Sequence, residues 1–467
     1  MAEKGNPEAQ VRLGVFLLKT ASDKIEGVEW IRKAAAQKVP TAELALGQIY
    51  IEGDIVPTNL SEGLNCFRKA AEHGSADGEA GVGRCYLDGT GVKQDFAEGA
   101  RWCRLAADHG SSMGQLYLGE CYVKGRGVPQ DFPESVKWFQ KAADNGDDDG
   151  YNQLGMCYDI GRGVKQDHEE AFRYYRRAAE AGNIYGQYIL ATRYASGDGV
   201  KKDYVEALKW FRAAAAKGHE DAAMKIGFAY DLGYGTKVDH SEAFKWYLSA
   251  AKKGNVNALM IVGERYASGN GTPRNDHYAL KWIRSAADKG STDAMTFLGE
   301  SYHFAFLGLD KNDNSAFEWF QKAAELGNVR GQIYLAVLKY APSSSESDQE
   351  NAFQWMRRAA LAGSMQAQFL LSSYYADGMG TRKDIVESSK WVMLAAMKGY
   401  TNANGVCENR LKNNVITQAQ FDEAKRWSEE FSRTNNAQPT GYQRRDIFND
   451  SAALRIIHSL PPNTTYW

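Results

Sequence analysis

Residues 183–218 read NIYGQYILATRYASGDGVKKDYVEALKWFRAAAAKG, and the same arrangement returns along nearly the whole chain. The glycine that closes this stretch recurs every 36 residues at Gly74, Gly110, Gly146, Gly182, Gly218, Gly254 and Gly290. After one extra residue the series continues at Gly327, Gly363 and Gly399, and upstream Gly5 and Lys38 hold the same slot. Eleven units result. Self-similarity at this period means a solenoid, in which each unit buries its apolar face only by stacking on its neighbours.

Counted forward from each closing glycine, the fourth position is small (Gly114, Gly150, Gly186, Ala222) and the eighth is aliphatic (Leu118, Leu154, Leu190, Ile226). The ninth is small again (Gly119, Gly155, Ala191, Gly227) and the twelfth is aromatic (Tyr122, Tyr158, Tyr194, Tyr230). These offsets share one face of a helix. Glycine at the ninth position costs roughly 1 kcal/mol of helix propensity, so its recurrence predicts that another helix passes too close for a side chain. Counted backward, an Ala-Ala pair precedes each closing glycine, as at Ala142-Ala143 and Ala250-Ala251. A Trp stands one turn earlier in most units, including Trp138, Trp210, Trp246 and Trp319. The pattern predicts a second helix in which this large anchor nests against small residues. Between the helices lies a double-glycine turn (Gly125-Arg126-Gly127, Gly197-Asp198-Gly199) followed by a helix N-cap such as Asp131 or Asp203. The closing glycine reads as a C-cap.

The composite pattern A-x3-L-G-x2-Y-x2-G-x-G-V-x2-D-x3-A-x2-W-x3-A-A-x3-G resembles the Sel1-like repeat, a relative of the tetratricopeptide repeat, with Ala207, Trp210, Ala214, Ala215 and Gly218 showing its second half. The resemblance covers about Gly5 to Phe431. It implies an all-α fold, an α/α superhelix (solenoid) of about eleven helix–turn–helix repeats with a C-terminal capping helix, and a role in protein–protein interaction. On this reading the solenoid spans residues 1–399, capping helices 400–434, and a linker with a short amphipathic extension 435–467.

Net charge is −2 and the pI is about 6.5, which argues against a nucleic-acid binder. No long apolar run spans a membrane. Ala2-Glu3-Lys4-Gly5 matches the end of a repeat whose preceding helix is missing. That start is expected from a cropped upstream segment or from a gene that begins mid-unit. The compartment is therefore open between cytoplasm and, if a signal was removed, periplasm. Cys85, Cys121 and Cys157 share one repeat slot, and with Cys66, Cys103 and Cys407 they read as small buried hydrophobes.

Catalytic motifs fail on context. Ser249 and Lys252 fit S-x-x-K but sit in an Ala-Ala slot without companion motifs. The G-x-G turns never extend to a dinucleotide fingerprint, and the histidines form no metal-binding pair. Asp147-Asp148-Asp149 reads as a solvated first turn, and His73 and His109 as favourable helix C-terminal residues. No catalytic residue, metal or cofactor is expected.

The variable positions carry the functional reading. Offsets three, seven, ten and fourteen of the first helix form a separate stripe. In related superhelices first helices line the concave wall, so the resemblance places the stripe there. Its candidate partner-binding residues are Tyr117, Met156, Tyr185, Ile189, Lys225, Phe228, Ile261, Glu264, Phe297, Glu300 and Tyr334. Aromatic and Met side chains among isolated charges suit an interface; the competing reading is lateral packing between first helices. Two irregular turns stand out. His303-Phe304-Ala305-Phe306-Leu307-Gly308 loses the double glycine and adds His303, Phe304 and Phe306 as loop candidates; Ala341 to Ser347 is Ser-rich. Near the C-terminus, 417–431 reads as a capping helix in which Trp427 keeps the 36-residue spacing from Trp391, and 446–460 as a short amphipathic helix. The leading function is a monomeric, non-enzymatic scaffold or adaptor for a protein partner. The alternative is an immunity protein that neutralises a secreted, lipase-type effector; a hydrolase is remote.

Overall fold

A computed structural model describes residues 1–20, 23–338 and 345–436. The expected extension at 446–460, the linker beyond 436 and most of the Ser-rich turn lie outside the described residues. Among the described residues there are twenty-four α-helices, one short 3₁₀ turn and no strand. The helices follow one another in pairs, such as Ala76–Asp88 with Phe96–Asp108, and Thr292–His303 with Asp313–Glu325. Two compact units result, Met1–Val238 and Asp239 onward. In each, a helix packs against its pair-mate and against the next pair.

Local chemistry sets the boundaries. Asp95, Asp131, Asp167 and Asp203 accept hydrogen bonds from amides in the first turn of the second helix, satisfying donors that no helical carbonyl reaches. At the other end Gly74 has φ +91°, and the Ser75 amide returns to the Ala70 carbonyl at 2.9 Å, a left-handed stop. The turn between paired helices holds two further left-handed glycines. A side chain at the second, Gly91, would overlap the Leu60 carbonyl of the preceding repeat.

The close approach read from the ninth-position glycine is present. A Cβ on Gly119 would lie 2.5 Å from the ring of Phe139, one on Gly155 2.6 Å from Tyr175, and one on Gly299 2.6 Å from Phe320. The partner is not the tryptophan. It is the residue after it: Phe139, Tyr175, Tyr247, Ile283 and Phe320 are at most 2 % exposed. Trp30, Trp102, Trp210, Trp246, Trp282, Trp319 and Trp355 are half-buried, and Trp138 and Trp391 are buried. The expectation of tryptophan as the deep anchor is thus corrected. The indole sits one position round the helix, where several rings pack beside a cation, as Trp319 does under Lys322 at 4.4 Å.

The Ala-Ala pair also has a different partner from the one expected. The fourth-position small residue of the next repeat lies on it: a Cβ on Gly114 would come 2.6 Å from Ala106, and one on Gly186 2.7 Å from Ala178. Small residue meets small residue between repeats, and ring meets glycine within a repeat. Polar links reinforce the stacking. Arg68, Arg212 and Arg284 donate to the hydroxyls of Tyr86, Tyr230 and Tyr302 in the following repeat at 3.0, 2.6 and 3.2 Å. Buried amides of Gln115, Gln187, Gln332 and Gln368 donate across the joint to carbonyls of the preceding second helix. Helix 418–436 closes the last repeat, with Trp427 and Phe431 packed against Trp391 at centroid distances of 5.2 and 5.7 Å.

A mid-helix Gly→Ala change ordinarily stabilises by about 1 kcal/mol. Gly299→Ala is expected to do the reverse, because Phe320 occupies the space. Phe320→Ala should cost about 3–5 kcal/mol, and Trp319→Ala clearly less. Urea titrations of the three variants check the order, and hydrogen exchange should rise only in the altered repeat and its neighbours.

Candidate interaction surface

In the first unit the stripe is partly open. Tyr185 and Met156 are 65 % and 41 % exposed. Lys225 is exposed, and Ile189 and Phe228 are half-buried. Tyr185 sits at the start of helix Ile184–Ser196 and meets the His219 ring edge-on at 5.7 Å; that imidazole stacks on Tyr188 at 4.2 Å. Burial holds the His219 imidazole below its ordinary pKa, so a neutral ring backs the exposed tyrosine. Tyr117 is different. It is half-buried under the Arg84 guanidinium at 5.0 Å, a lateral contact between neighbouring first helices.

In the second unit the stripe closes over a charged cluster. Ile261 is 9 % and Glu300 7 % exposed. Tyr334 is half-buried with its ring stacked on Phe320 at 4.7 Å, and Phe297 is half-buried. Arg330 Nη2 pairs with Glu300 Oε1 at 2.6 Å. Glu264 keeps some solvent exposure although protein surrounds it, and burial pushes its carboxyl up to about 7 against the pull of Arg265 and Arg330. Burial likewise raises the Glu300 carboxyl, with Arg330 and Tyr334 opposing. Five of the sequence candidates, Ile261, Glu264, Phe297, Glu300 and Tyr334, thus belong to three successive first helices. Sequence reasoning missed Arg330, although it holds the third-offset slot, as Tyr185 does four units earlier. It also missed Tyr188 and His219, which lie off the stripe.

The irregular loop keeps the two left-handed positions of the regular turn, ends the first helix one residue earlier and adds a third left-handed residue, Gly308. Ala305 and Leu307 take the two glycine slots with φ +58° and +56°. His303 Nδ1 lies 2.6 Å from Asp313 Oδ1 and holds that carboxyl below the usual range. The rings of His303, Phe304 and Phe306 pack in sequence at 4.5 and 5.7 Å, while Leu307 is buried.

Other polar groups are structural. His73 and His109 reach Glu43 and Glu79 at 2.8 and 2.9 Å, so they serve as cross-helix partners as well as helix ends. The acidic triplet is not simply solvated: Asp147 caps Gly150 at 2.9 Å and Asp149 accepts from Asn183 at 2.7 Å. Asp159, His168 and Asp198 bring three possible ligand atoms within 4.8 Å of one another. Arg193, however, pairs with both carboxylates and supplies the cation there. All six cysteines are buried and free, and burial pushes the thiols of Cys66, Cys85, Cys157 and Cys407 up to about 11, unsuited to nucleophiles. A depression of about 400 Å³ lined by His277, Leu280, Lys281, Arg284, Ser285 and Asp288 is one side of a single helix.

The Sel1 repeat model matches eleven times, at residues 7–39, 40–75, 76–111, 112–147, 148–183, 184–219, 220–255, 256–291, 292–328, 329–364 and 366–400. The chain belongs to the Sel1 repeat family. Its fold is similar to that of a protective antigen present in uropathogenic Escherichia coli strains, with 30 % identity, 92 % of this chain and 93 % of that one covered, and a TM-score of 0.62. A Sel1 repeat protein from Oxalobacter formigenes shares 31 % identity over 64 % of this chain and 88 % of its own, with a TM-score of 0.48. An immunity protein from Pseudomonas aeruginosa aligns at 17 % identity over 45 % of this chain and 80 % of its own, with a TM-score of 0.29. No curated protein matches the chain. Sel1 repeat proteins generally mediate protein–protein interaction, and the fold is typically a non-enzymatic scaffold. No helix among the described residues is long and apolar enough to cross a membrane.

Two expectations follow from this geometry. Left-handed backbone costs an L-residue roughly 1–2 kcal/mol, while glycine adds about 0.5–1 kcal/mol of chain entropy. Ala305→Gly should therefore stabilise slightly and Leu307→Gly, which also loses a buried side chain, should destabilise; chemical denaturation of both decides it. For Glu264 the folded pKa is raised, from 4.5 to about 7. Its favourable contribution is complete below pH 4.5 and is lost as pH rises through about 7. Glu264→Gln should melt increasingly above wild type between pH 5 and pH 8, by on the order of 1–3 kcal/mol at the upper end. A constant difference across that range would contradict the burial of a carboxyl whose charged surroundings are Arg265 and Arg330.

Proposed function

We propose that the protein is a non-enzymatic scaffold that holds a protein partner on the face lined by its first helices, the concave face in related superhelices. The observation that carries this reading is the exposure of Tyr185 and Met156, at 65 % and 41 %, on helices whose other faces are packed. Large amphipathic rings left open on a rigid support are the commonest form of binding hot spot. Lys225 and the half-buried Ile189, Phe228 and Phe297 extend the same stripe within their own units. The loop residues His303, Phe304 and Phe306 are a second contact region, held by a backbone that two non-glycine residues keep left-handed. A neutralising immunity protein would use the same face; it differs in its partner, a secreted effector.

The test is capture of partners from native lysate on the tagged full chain, with mass spectrometry, followed by affinities of purified variants. Tyr185→Ala and Met156→Ala should melt near wild type yet weaken the partner, with Tyr185→Ala costing about 2 kcal/mol or more. Phe228→Ala and Phe297→Ala should weaken it too. Unchanged affinity together with lowered melting would assign the stripe to lateral packing.

A further inference from the structure

Glu264 differs from Glu300, the equivalent enclosed carboxylate of the next repeat, and from several exposed carboxylates that have cations. Glu300 has Arg330 at 2.6 Å, Asp313 has His303 at 2.6 Å, and Glu387 has Lys390 at 3.0 Å. Among the described residues the Glu264 carboxylate has no ion pair and no hydrogen bond, its residue's backbone carbonyl alone accepting from Ser268 Oγ at 2.9 Å, although protein surrounds it. Its neighbour Arg265 is turned over the Tyr247 ring at 4.9 Å, and Arg330 is held by Glu300. An enclosed carboxylate without a partner is costly, and proteins normally supply one. Here the side chain still reaches solvent. The apolar Ile261 stands one helical turn before it, and Phe297 stands in the same relation to Glu300 on the next first helix. An unmatched carboxylate on a first helix whose neighbouring stripe positions are apolar suits the head and stem of a long basic residue.

We infer that the Glu264 carboxylate receives a lysine or arginine side chain presented by the protein partner. The inference rests on the first-helix face being the binding face, and it adds the chemistry of the occupant. The cation would supply the ion pair the chain itself withholds, and Arg330 would keep Glu300 from competing for it. Charge complementarity of this kind selects partners more than it raises bulk affinity, so basic residues at one position of the ligand should be required while their neighbours vary.

The experiment pans a random peptide display library against the full chain and measures the enriched peptides by fluorescence polarisation. Enriched peptides should share a lysine or arginine, and replacing it with glutamine should weaken binding at least about tenfold. Glu264→Gln in the protein should cause a comparable loss, while Glu264→Asp, which keeps the charge, should retain part of the binding. Peptides that lack a shared basic residue, or that bind Glu264→Gln as tightly as wild type, would overturn the inference. If those peptides are nevertheless lost on Tyr185→Ala, the first-helix binding face survives without the basic occupant. If they tolerate both changes, or if no peptide is enriched, both readings fail.

Discussion

The contact on which everything else depends is the ring of one helix lying on a residue without a side chain in its pair-mate. Phe139 on Gly119, Tyr175 on Gly155 and Phe320 on Gly299 leave no room for a methyl group. The contact fixes the distance between paired helices, because a rigid ring bears directly on backbone. It also fixes rotation: with the ring turned inward, the preceding tryptophan points to the edge of the pair and stays half-buried in most repeats. Close packing of this sort is intolerant of added volume, which explains why a poor helix former recurs in the middle of so many first helices.

Stacking of one repeat on the next uses a different device. Small fourth-position residues lie on the Ala-Ala pair of the preceding helix, so backbones approach and polar side chains can reach across the joint. The fifth-offset slot records this. It carries Gln10, Glu43, Glu79, Gln115, Tyr151 and Gln187, then Ala223, Leu259 and Met295, then Gln332 and Gln368, all buried but the half-buried Tyr151. A buried amide must be hydrogen-bonded, and the glutamines from Gln115 onward find carbonyls of the preceding second helix. The run from Ala223 to Met295 carries no such amide, although Arg212 and Arg284 still reach Tyr230 and Tyr302 across its joints. Each unit thus mixes the two kinds of joint: Gln115 and Gln187 with Ala223 in the first, Leu259 and Met295 with Gln332 and Gln368 in the second.

The charged cluster shows how a regular scaffold acquires a distinctive place. Glu264 and Glu300 hold equivalent slots in consecutive repeats, yet only Glu300 has a cation within ion-pair distance. Their environments diverge because one arginine comes from the third-offset position of the following repeat, while the other, Arg265, lies over Tyr247. The irregular loop is similar in kind. Its sequence departs from the repeat, but Ala305 and Leu307 keep the left-handed backbone that the repeat demands, and the inserted residue is taken up beside a third left-handed position, Gly308.

The sequence by itself determined the period, the helix pairs, their caps and the tight passage at the ninth position, since each rests on local rules of backbone conformation and helical spacing. The family could be read from the same positions. The tertiary structure alone decided which large residue fills the glycine notch, because Trp319 and Phe320 are adjacent and equally apolar in composition; only the helix rotation turns one inward. It also separated the stripe into exposed Tyr185 and Met156, the laterally packed Tyr117 and Tyr334, and buried Ile261 and Glu300. Offsets along one helix cannot tell these apart, because the contacts of Tyr117, Glu300 and Tyr334 come from side chains of the neighbouring repeat, well outside their own helices.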